Sequence, residues 1–258
     1  MNIQFYKYQG TGNDFIMIDD RTNNFNESDT ALVQKLCDRR FGIGADGLIL
    51  LRLHSKADFE MVYFNADGNP STMCGNGGRC TVSFAHRLGL FEQETNFMAI
   101  DGIHEASIQN DIVTLQMQDV AEVKQAKDHY FLDTGSPHYV ALVENIEAFD
   151  VYNKGKQIRY SHAFSTIEGT NVNFVEKISS QEIKVRTYER GVEDETFSCG
   201  TGVTACALAL SLDDSKSPVR IQTKGGLLEV GWKKLGNTYT DIYLKGSAKH
   251  VFTGEVEV

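Results

Sequence analysis

At 258 residues the chain suits one large or two medium domains, and either can bury a core. A formal net charge of −10 argues against nucleic acid or an anionic membrane surface as partner, since both reward a basic face, and leaves a small-molecule substrate open. No apolar run is long enough to span a bilayer, and Met1 to Tyr8 holds no apolar core of a signal segment, so the expectation is a cytoplasmic protein.

Residues 3–5 and 15–18 read as strands separated by Gly10-Thr11-Gly12-Asn13. That loop lacks the glycine spacing of a dinucleotide fingerprint, and no P-loop lysine follows it. Ser28 or Asp29 is placed to cap a helix through Ala31, Leu32, Leu36 and Cys37 to Arg40. A glycine-rich turn over 41–47 precedes strands at 48–53 and 59–64. The loop 65–70 then leads into Cys74-Gly75-Asn76-Gly77-Gly78-Arg79-Cys80. From Cys74, the spacing of Val82, Ala85 and Leu88 predicts a helix that Gly89 stops. Strands are expected at 97–100, 105–108 and 113–117. Polar residues accumulate beyond Gln118, which sets the expected boundaries. Residues 1–117, joined by a returning C-terminal strand at 249–258, form a domain carrying Cys74. Residues 118–248 form a second domain carrying Cys199.

In that second half, Thr134-Gly135-Ser136-Pro137-His138 opens a strand at 139–143, and a helix covers about 151–158. Strands are expected at 171–174 and 183–188. Glu189-Arg190-Gly191 begins a loop to Cys199, and its acidic run Glu193-Asp194-Glu195 reads as solvated. The helix through Ala205, Leu208 and Leu212 is apolar nearly all round and belongs at the centre of its domain. Strands near 219–222, 227–232, 240–244 and 251–256 finish the chain. The expected class is α+β: two similar domains, each a curved, barrel-like, mostly antiparallel sheet round a central helix, with an active site in the cleft between them.

The halves look like copies. A gapless shift that carries Cys74 onto Cys199 also carries Gly44 onto Gly169, Asp46 onto Asn171, Tyr63 onto Tyr188, Gly75 onto Gly200 and Gly77 onto Gly202. The shared Cys-Gly-x-Gly reads as an internal duplication, with a period too long for a solenoid. Each motif sets a cysteine at a helix start, followed by glycine. First-turn amides lack intrahelical acceptors and the helix end is partly positive, so such a site favours a thiolate and accepts an oxyanion close to the backbone. Two such sites facing one another would grip one carboxylate and set sulfurs on opposite faces of the neighbouring carbon. Inversion at an acidic carbon needs that arrangement, one thiolate removing the proton and the other thiol returning one. Cys37, Cys80 and Cys206 read instead as buried small hydrophobes. The five cysteines, an odd number, do not suggest a disulfide framework, and their spacing does not suggest zinc.

Six ordered motifs carry a family resemblance over essentially the whole chain. They are Gly12-Asn13-Asp14-Phe15, Gly42-Ile43-Gly44-Ala45-Asp46-Gly47, Phe64-Asn65-Ala66-Asp67-Gly68, Cys74-Gly75-Asn76-Gly77, Tyr188-Glu189-Arg190-Gly191 and Cys199-Gly200-Thr201-Gly202. Together they resemble the diaminopimelate epimerases, isomerases that need no pyridoxal phosphate or other cofactor. The resemblance implies that Cys74 and Cys199 are the acid/base pair. It implies that the amides of Gly75, Asn76, Gly200 and Thr201 hold the reacting carboxylate of diaminopimelate, and that Asn13, Asn65 and Asn171 hydrogen-bond the substrate. Arg190 would take the distal carboxylate with its planar fork and Glu189 the distal ammonium. A homodimer is implied by the family alone. Asp46 and Asp67 read equally well as turn residues and stay outside the expected site. The family carries Asn where this chain has Ser136, which is shorter; His138 matches and reads as an orienting group or a structural hydrogen-bonding one. The loop to Cys199 is one residue longer than the family's usual spacing. A related isomerase on another amino acid, a thiol redox protein and a non-catalytic binding module remain the alternatives.

Overall fold

The computed structural model describes residues 2–167 and 169–258. In chain order, strands β1 (Asn2–Gly10) and β2 (Asn13–Asp19) precede helix α1 (Thr30–Cys37), and β3 (Gly47–Arg52) and β4 (Phe59–Asn65) lead into α2 (Gly75–Arg87). Strands β5 (Glu94–Ala99), β6 (Gly102–Gln109) and β7 (Ile112–Gln116) follow. Then β8 (Lys124–Gln125), β9 (Tyr130–Asp133) and β10 (Pro137–Leu142) precede α3 (Val151–Arg159). Next, β11 (Asn171–Ser179), β12 (Glu182–Glu189) and β13 (Asp194–Thr196) lead into α4 (Gly200–Leu210). Strands β14 (Val219–Thr223), β15 (Gly226–Leu235), β16 (Thr238–Ser247) and β17 (Lys249–Glu257) close the chain. It divides into two compact units, Met1–Leu115 with Gly246–Val258, and Gln116–Lys245. The class is α+β, rich in strands with few helices. Among the described residues, no helix is long and apolar enough to cross a membrane.

In the first unit, β17 pairs antiparallel with β1 and β1 with β2; β2 runs parallel to β3, β3 antiparallel to β4, β4 parallel to β5, and β5, β6 and β7 form antiparallel hairpins. Helix α2 packs against β1, β2, β3, β4, β6 and β17, so the sheet wraps round it. The apolar run Leu48-Ile49-Leu50-Leu51 is buried throughout because both faces of β3 are covered. Leu48 and Leu50 cluster with Val33 and Leu36 of α1, while Ile49 lies against Gly77 of α2. Each such side chain contributes about 1.5–3 kcal/mol by leaving water. At the end of α2 the amides of Gly89 and Leu90 fold back onto the carbonyls of His86 and Ala85, which closes the helix where the sequence predicts.

The second unit repeats the plan. β9 pairs antiparallel with β10, β10 runs parallel to β11, β11 antiparallel to β12, β12 parallel to β14, and β14 antiparallel to β15. Helix α4 packs against β9, β10, β11, β12 and β15, and every residue of it but Thr201 is buried. On β11, Val172 and Phe174 cluster with Val151 of α3, while Asn173 between them turns its side chain toward Gly202 of α4. The helix between the parallel pair and the helix after the hairpin recur in both units, as a duplicated chain requires.

Some expectations fail for identifiable reasons. Helix α1 starts at the Asp29 cap but ends at Cys37, not Arg40. The Asp38 carboxylate accepts the amides of Arg40 and Phe41, both at 2.7 Å, and draws the backbone out of the helix. Helix α4 ends at Leu210, not Leu212, because the amides of Asp213, Asp214 and Ser215 all turn back to the Leu210 carbonyl. Strands β8, β9 and β13 are short and lack clear alternation, and were not expected. The acidic run after Arg190 is not simply solvated. Glu195 receives Arg186 at 2.6 and 2.7 Å and Lys224 at 2.9 Å, and Glu193 receives Arg159 at 3.1 Å and the Tyr160 hydroxyl at 2.8 Å. Arg159 and Lys224 lie on distant segments and Arg186 meets Glu195 only across the paired strands β12 and β13, so folding brings them together.

Candidate active site

The two motif cysteines occupy the same backbone position. Cys74 is the N-cap of α2 with φ −111° and ψ 119°, and Cys199 is the N-cap of α4 with φ −113° and ψ 114°. An extended N-cap residue turns its side chain back over the first helical turn, where the amides have no intrahelical acceptor. Cys74 Sγ accepts the Gly77 amide at 3.5 Å, while Cys199 Sγ meets Thr201 Oγ1 at 3.5 Å. The glycines of the motif are needed for close approach. A Cβ on Gly202 would stand 2.4 Å from Asn173 Oδ1 and 3.2 Å from Cys199 Cβ. The other cysteines sit deeper. Burial pushes the Cys37 and Cys80 thiols up to about 12 and the Cys206 thiol well above its ordinary value, so all three stay protonated near neutral pH.

In the first unit the structure brings Asn13, Cys74, Gly75 and Asn76 together. Asn13 Oδ1 accepts from Asn76 Nδ2 at 3.3 Å and from the Cys74 thiol at 3.7 Å. The Asn13 Nδ2 group donates to Asp46 Oδ2 at 2.5 Å, which fixes the amide so that its oxygen faces the sulfur. Asp46 is held in turn by Arg39 at 2.6 Å. Asp46 therefore orients Asn13, a candidate site residue, and is more than the turn former the sequence suggests. Its alignment with Asn171 in the duplication was the available signal. Burial pushes the Asp14 carboxyl up, but hydrogen bonds from Arg39 and Lys7, with their charges, outweigh it and hold the group at about 2. Asn65 ends β4, half-buried, opposite Gly47 of β3, outside the hydrogen bonds that join Asn13, Cys74 and Asn76, while Gly75 lies between the latter two in the chain.

The second unit joins its residues through a directed chain of hydrogen bonds. Asn173, fully buried, donates Nδ2 to His138 Nδ1 at 3.1 Å and to the Tyr139 carbonyl at 2.9 Å, and accepts Thr187 Oγ1 at 2.9 Å. His138 Nδ1 must then be the acceptor, so its proton sits on Nε2 and points to Ser136 Oγ at 3.0 Å. Burial, with the charge of Arg190, lowers the His138 pKa to about 3, which keeps the imidazole neutral and this tautomer in place. Ser136 Oγ also accepts from Asn171 Nδ2 at 3.2 Å. Its own proton is left for Thr201 Oγ1 at 3.4 Å, and the Thr201 proton for Cys199 Sγ at 3.5 Å. Thr201 is fixed further by its carbonyl, which accepts Thr134 Oγ1 at 2.9 Å. Asn171 Oδ1 takes the Arg190 amide at 2.9 Å, and the neighbouring Glu189 carboxylate accepts Thr196 Oγ1 at 2.8 Å. Of the expected residues in this unit, Asn171, Arg190, Thr201 and Cys199 are linked directly or through Ser136, and Gly200 lies between the last two in the chain. Ser136 and His138 belong to that network, together with Asn173 and Thr134, which the sequence did not single out. The role of Asn173 could not be read because Asn in the middle of a strand carries no local signal.

Two helix starts with a cysteine at the N-cap position, each with neutral hydrogen-bonding side chains beside it, have the chemistry to bind a carboxylate and move a proton. Among the described residues, no cluster of His, Cys, Asp or Glu is arranged to hold a metal ion.

Comparison with known proteins agrees with the duplicated plan. The protein family described as diaminopimelate epimerase matches residues 5–123 and 130–251, one segment in each half. Curated diaminopimelate epimerases of Flavobacterium psychrophilum and Chlorobaculum tepidum are 54% and 44% identical, over 97% and 96% of this chain and 98% of each relative. A phenazine biosynthesis protein of the PhzF family from Bacillus anthracis shares the fold with a TM-score of 0.79 at 14% identity, covering 100% of both chains. A probable proline racemase from Agrobacterium radiobacter shares it with a TM-score of 0.72 at 15% identity, covering 99% of this chain and 93% of the other. With near-complete coverage by relatives at such identity, the chain belongs to the diaminopimelate epimerase family of isomerases.

Proposed function

We propose that the protein interconverts LL- and meso-diaminopimelate without a cofactor, using Cys74 and Cys199 as a thiolate/thiol pair on opposite faces of one α-carbon. The observation that carries this reading is the matched N-cap geometry of the two cysteines in a chain of this family. In this mechanism the amides of Gly75, Asn76, Gly200 and Thr201 hold the reacting carboxylate. The α-proton is weakly acidic, so stabilising the carboxylate as it becomes enolate-like supplies the largest electrostatic contribution, on the order of several kcal/mol. Acid/base work by positioned thiols adds roughly 10²–10⁴-fold. Arg190 forks the distal carboxylate, Glu189 takes the distal ammonium, and Asn13, Asn65 and Asn171 bond the substrate's polar groups. Two bonds of Asn171 already go to Ser136 and the Arg190 amide, so it would also hold Arg190 in position.

We propose further that the activity serves the supply of lysine and peptidoglycan precursors and that the protein works in the cytoplasm, the homodimer being implied by the family resemblance alone. Chromatographic separation of stereoisomers tests the reaction: purified reduced protein should convert LL-diaminopimelate to the meso form. Cys74→Ala and Cys199→Ala should each abolish conversion with an unchanged circular dichroism spectrum. An active single variant would remove the two-thiol mechanism.

A further inference from the structure

The turn that follows Arg190 is held by an acidic residue of its own. Glu193 has φ 58°, a left-handed conformation that strains a residue with a side chain. The shift that carries Cys74 onto Cys199 carries Gly68 onto Glu193 and Asn65 onto Arg190. Gly68 has φ 82°, so both copies turn left-handed at this point. The first copy meets the turn with glycine, and a Cβ there would overlap the Thr30 carbonyl. The second copy meets it with a glutamate, and strain of this kind persists where the surroundings over-determine the conformation.

The surroundings of Glu193 do so. Its Oε1 accepts the Gly191 amide at 3.0 Å, Arg159 Nε at 3.3 Å and Arg159 Nη2 at 3.1 Å. Its Oε2 accepts the hydroxyls of Tyr160 at 2.8 Å and Tyr188 at 3.4 Å. Arg159 is the last residue of α3, and that helix lies directly on β12, since a Cβ on Gly155 would overlap the Tyr188 side chain. Gly169 clears a seat for the guanidinium, because a Cβ there would overlap Arg159 Nη1. One carboxylate thus ties the turn to α3 and β12. The two residues before the turn are pinned as well. The Glu193 amide donates to the Glu189 carbonyl at 2.9 Å, the Arg190 amide to Asn171 Oδ1 at 2.9 Å, and Thr196 Oγ1 to the Glu189 carboxylate at 2.8 Å.

We propose that Glu193, anchored by Arg159, is a positioning residue: it fixes the turn after Arg190 so that Glu189 and Arg190 are presented together to the ammonium and carboxylate of an amino acid. The inference rests on the reading of that pair as the contacts to the distal end of diaminopimelate. A planar guanidinium fork binds a carboxylate from a narrow range of directions, and its stem starts from the backbone that the turn sets. Holding the turn in place before substrate arrives removes the cost of ordering it on binding. Without the Glu193 carboxylate the turn relaxes, and the fork loses its direction although Arg190 is still present.

The test is a double-mutant cycle on Glu193 and Arg190, read as KM and kcat for LL-diaminopimelate. E193A should raise KM about tenfold and leave kcat within about twofold of wild type. In R190A, adding E193A should change KM by less than about twofold, because the fork it positions is gone. E193Q keeps an acceptor for the Gly191 amide without the charge for Arg159, so its KM should lie between those of wild type and E193A; it stands in for E193A if that variant does not fold. A glutamate that only stabilised the fold would instead lower the melting temperature and the active fraction, and its effect would multiply with that of R190A. A wild-type KM in the folded variant, or effects that multiply in the double variant, would overturn the proposal. Failure of the functional reading looks different: the wild-type protein itself would exchange no α-proton of diaminopimelate. Hydrogen-exchange mass spectrometry then decides the clamp alone. E193A should speed amide exchange over 190–193 by about tenfold or more, and unchanged exchange there would overturn it.

Discussion

Lowering the pH should weaken the fold through one residue, His138. The imidazole is fully buried and is held as an acceptor by Asn173, so folding favours its neutral form and lowers its pKa from 6.5 to about 3. The unfolded chain takes up a proton near the ordinary value. The stabilisation is therefore fully present above about pH 6.5 and is lost as the pH falls toward about 3. Within that window the loss approaches about 1.4 kcal/mol per pH unit, up to about 5 kcal/mol in all. Urea unfolding at about pH 7.5 and about pH 5.5 brackets the start of the window, where linkage predicts a loss of about 1.4 kcal/mol from this group. His138→Gln is the control, because its amide can accept from Asn173 and donate to Ser136 without titrating. The difference between the two proteins isolates His138 from the carboxylates, which titrate lower. Equal pH slopes in wild type and H138Q would refute the reasoning, as would an imidazole seen by NMR to protonate near pH 6.5.

The network around Cys199 can be tested from its other end. Gly202→Ala sets a Cβ 2.4 Å from Asn173 Oδ1, so the Asn173 side chain must shift and release His138. Stability should fall by about 1–3 kcal/mol, with activity reduced further, and near-native melting and turnover would show that the packing does not matter. Arg190→Ala should chiefly raise KM, by roughly 10–150-fold for loss of a charge-assisted contact worth about 1.5–3 kcal/mol; an unchanged KM would move Arg190 out of the site.

The duplication was legible because cysteine and glycine in Cys-Gly-x-Gly demand one backbone arrangement, and that demand repeats. The helix caps at Asp29 and Cys74, and the central position of the apolar α4, were legible for the same local reasons. What escaped was settled by distant partners. Glu195 looks like a solvated acid until Arg186 and Lys224 are brought beside it. Asp46 looks like a turn residue until Asn13 is seen to need a fixed amide. Ser136 looks like a shortened substrate contact, yet folding places its hydroxyl between His138, Asn171 and Thr201, where it passes hydrogen-bond direction toward Cys199.

Proton exchange at the substrate's α-carbon tests the central claim most directly. The reduced, pyridoxal-free protein would be incubated with LL-diaminopimelate in D₂O, and deuterium content and stereochemistry followed together. The account predicts deuterium at the α-carbon of newly formed meso isomer, with no added cofactor. Absence of both exchange and isomerisation, with the Cys74 and Cys199 thiols confirmed reduced, would contradict it.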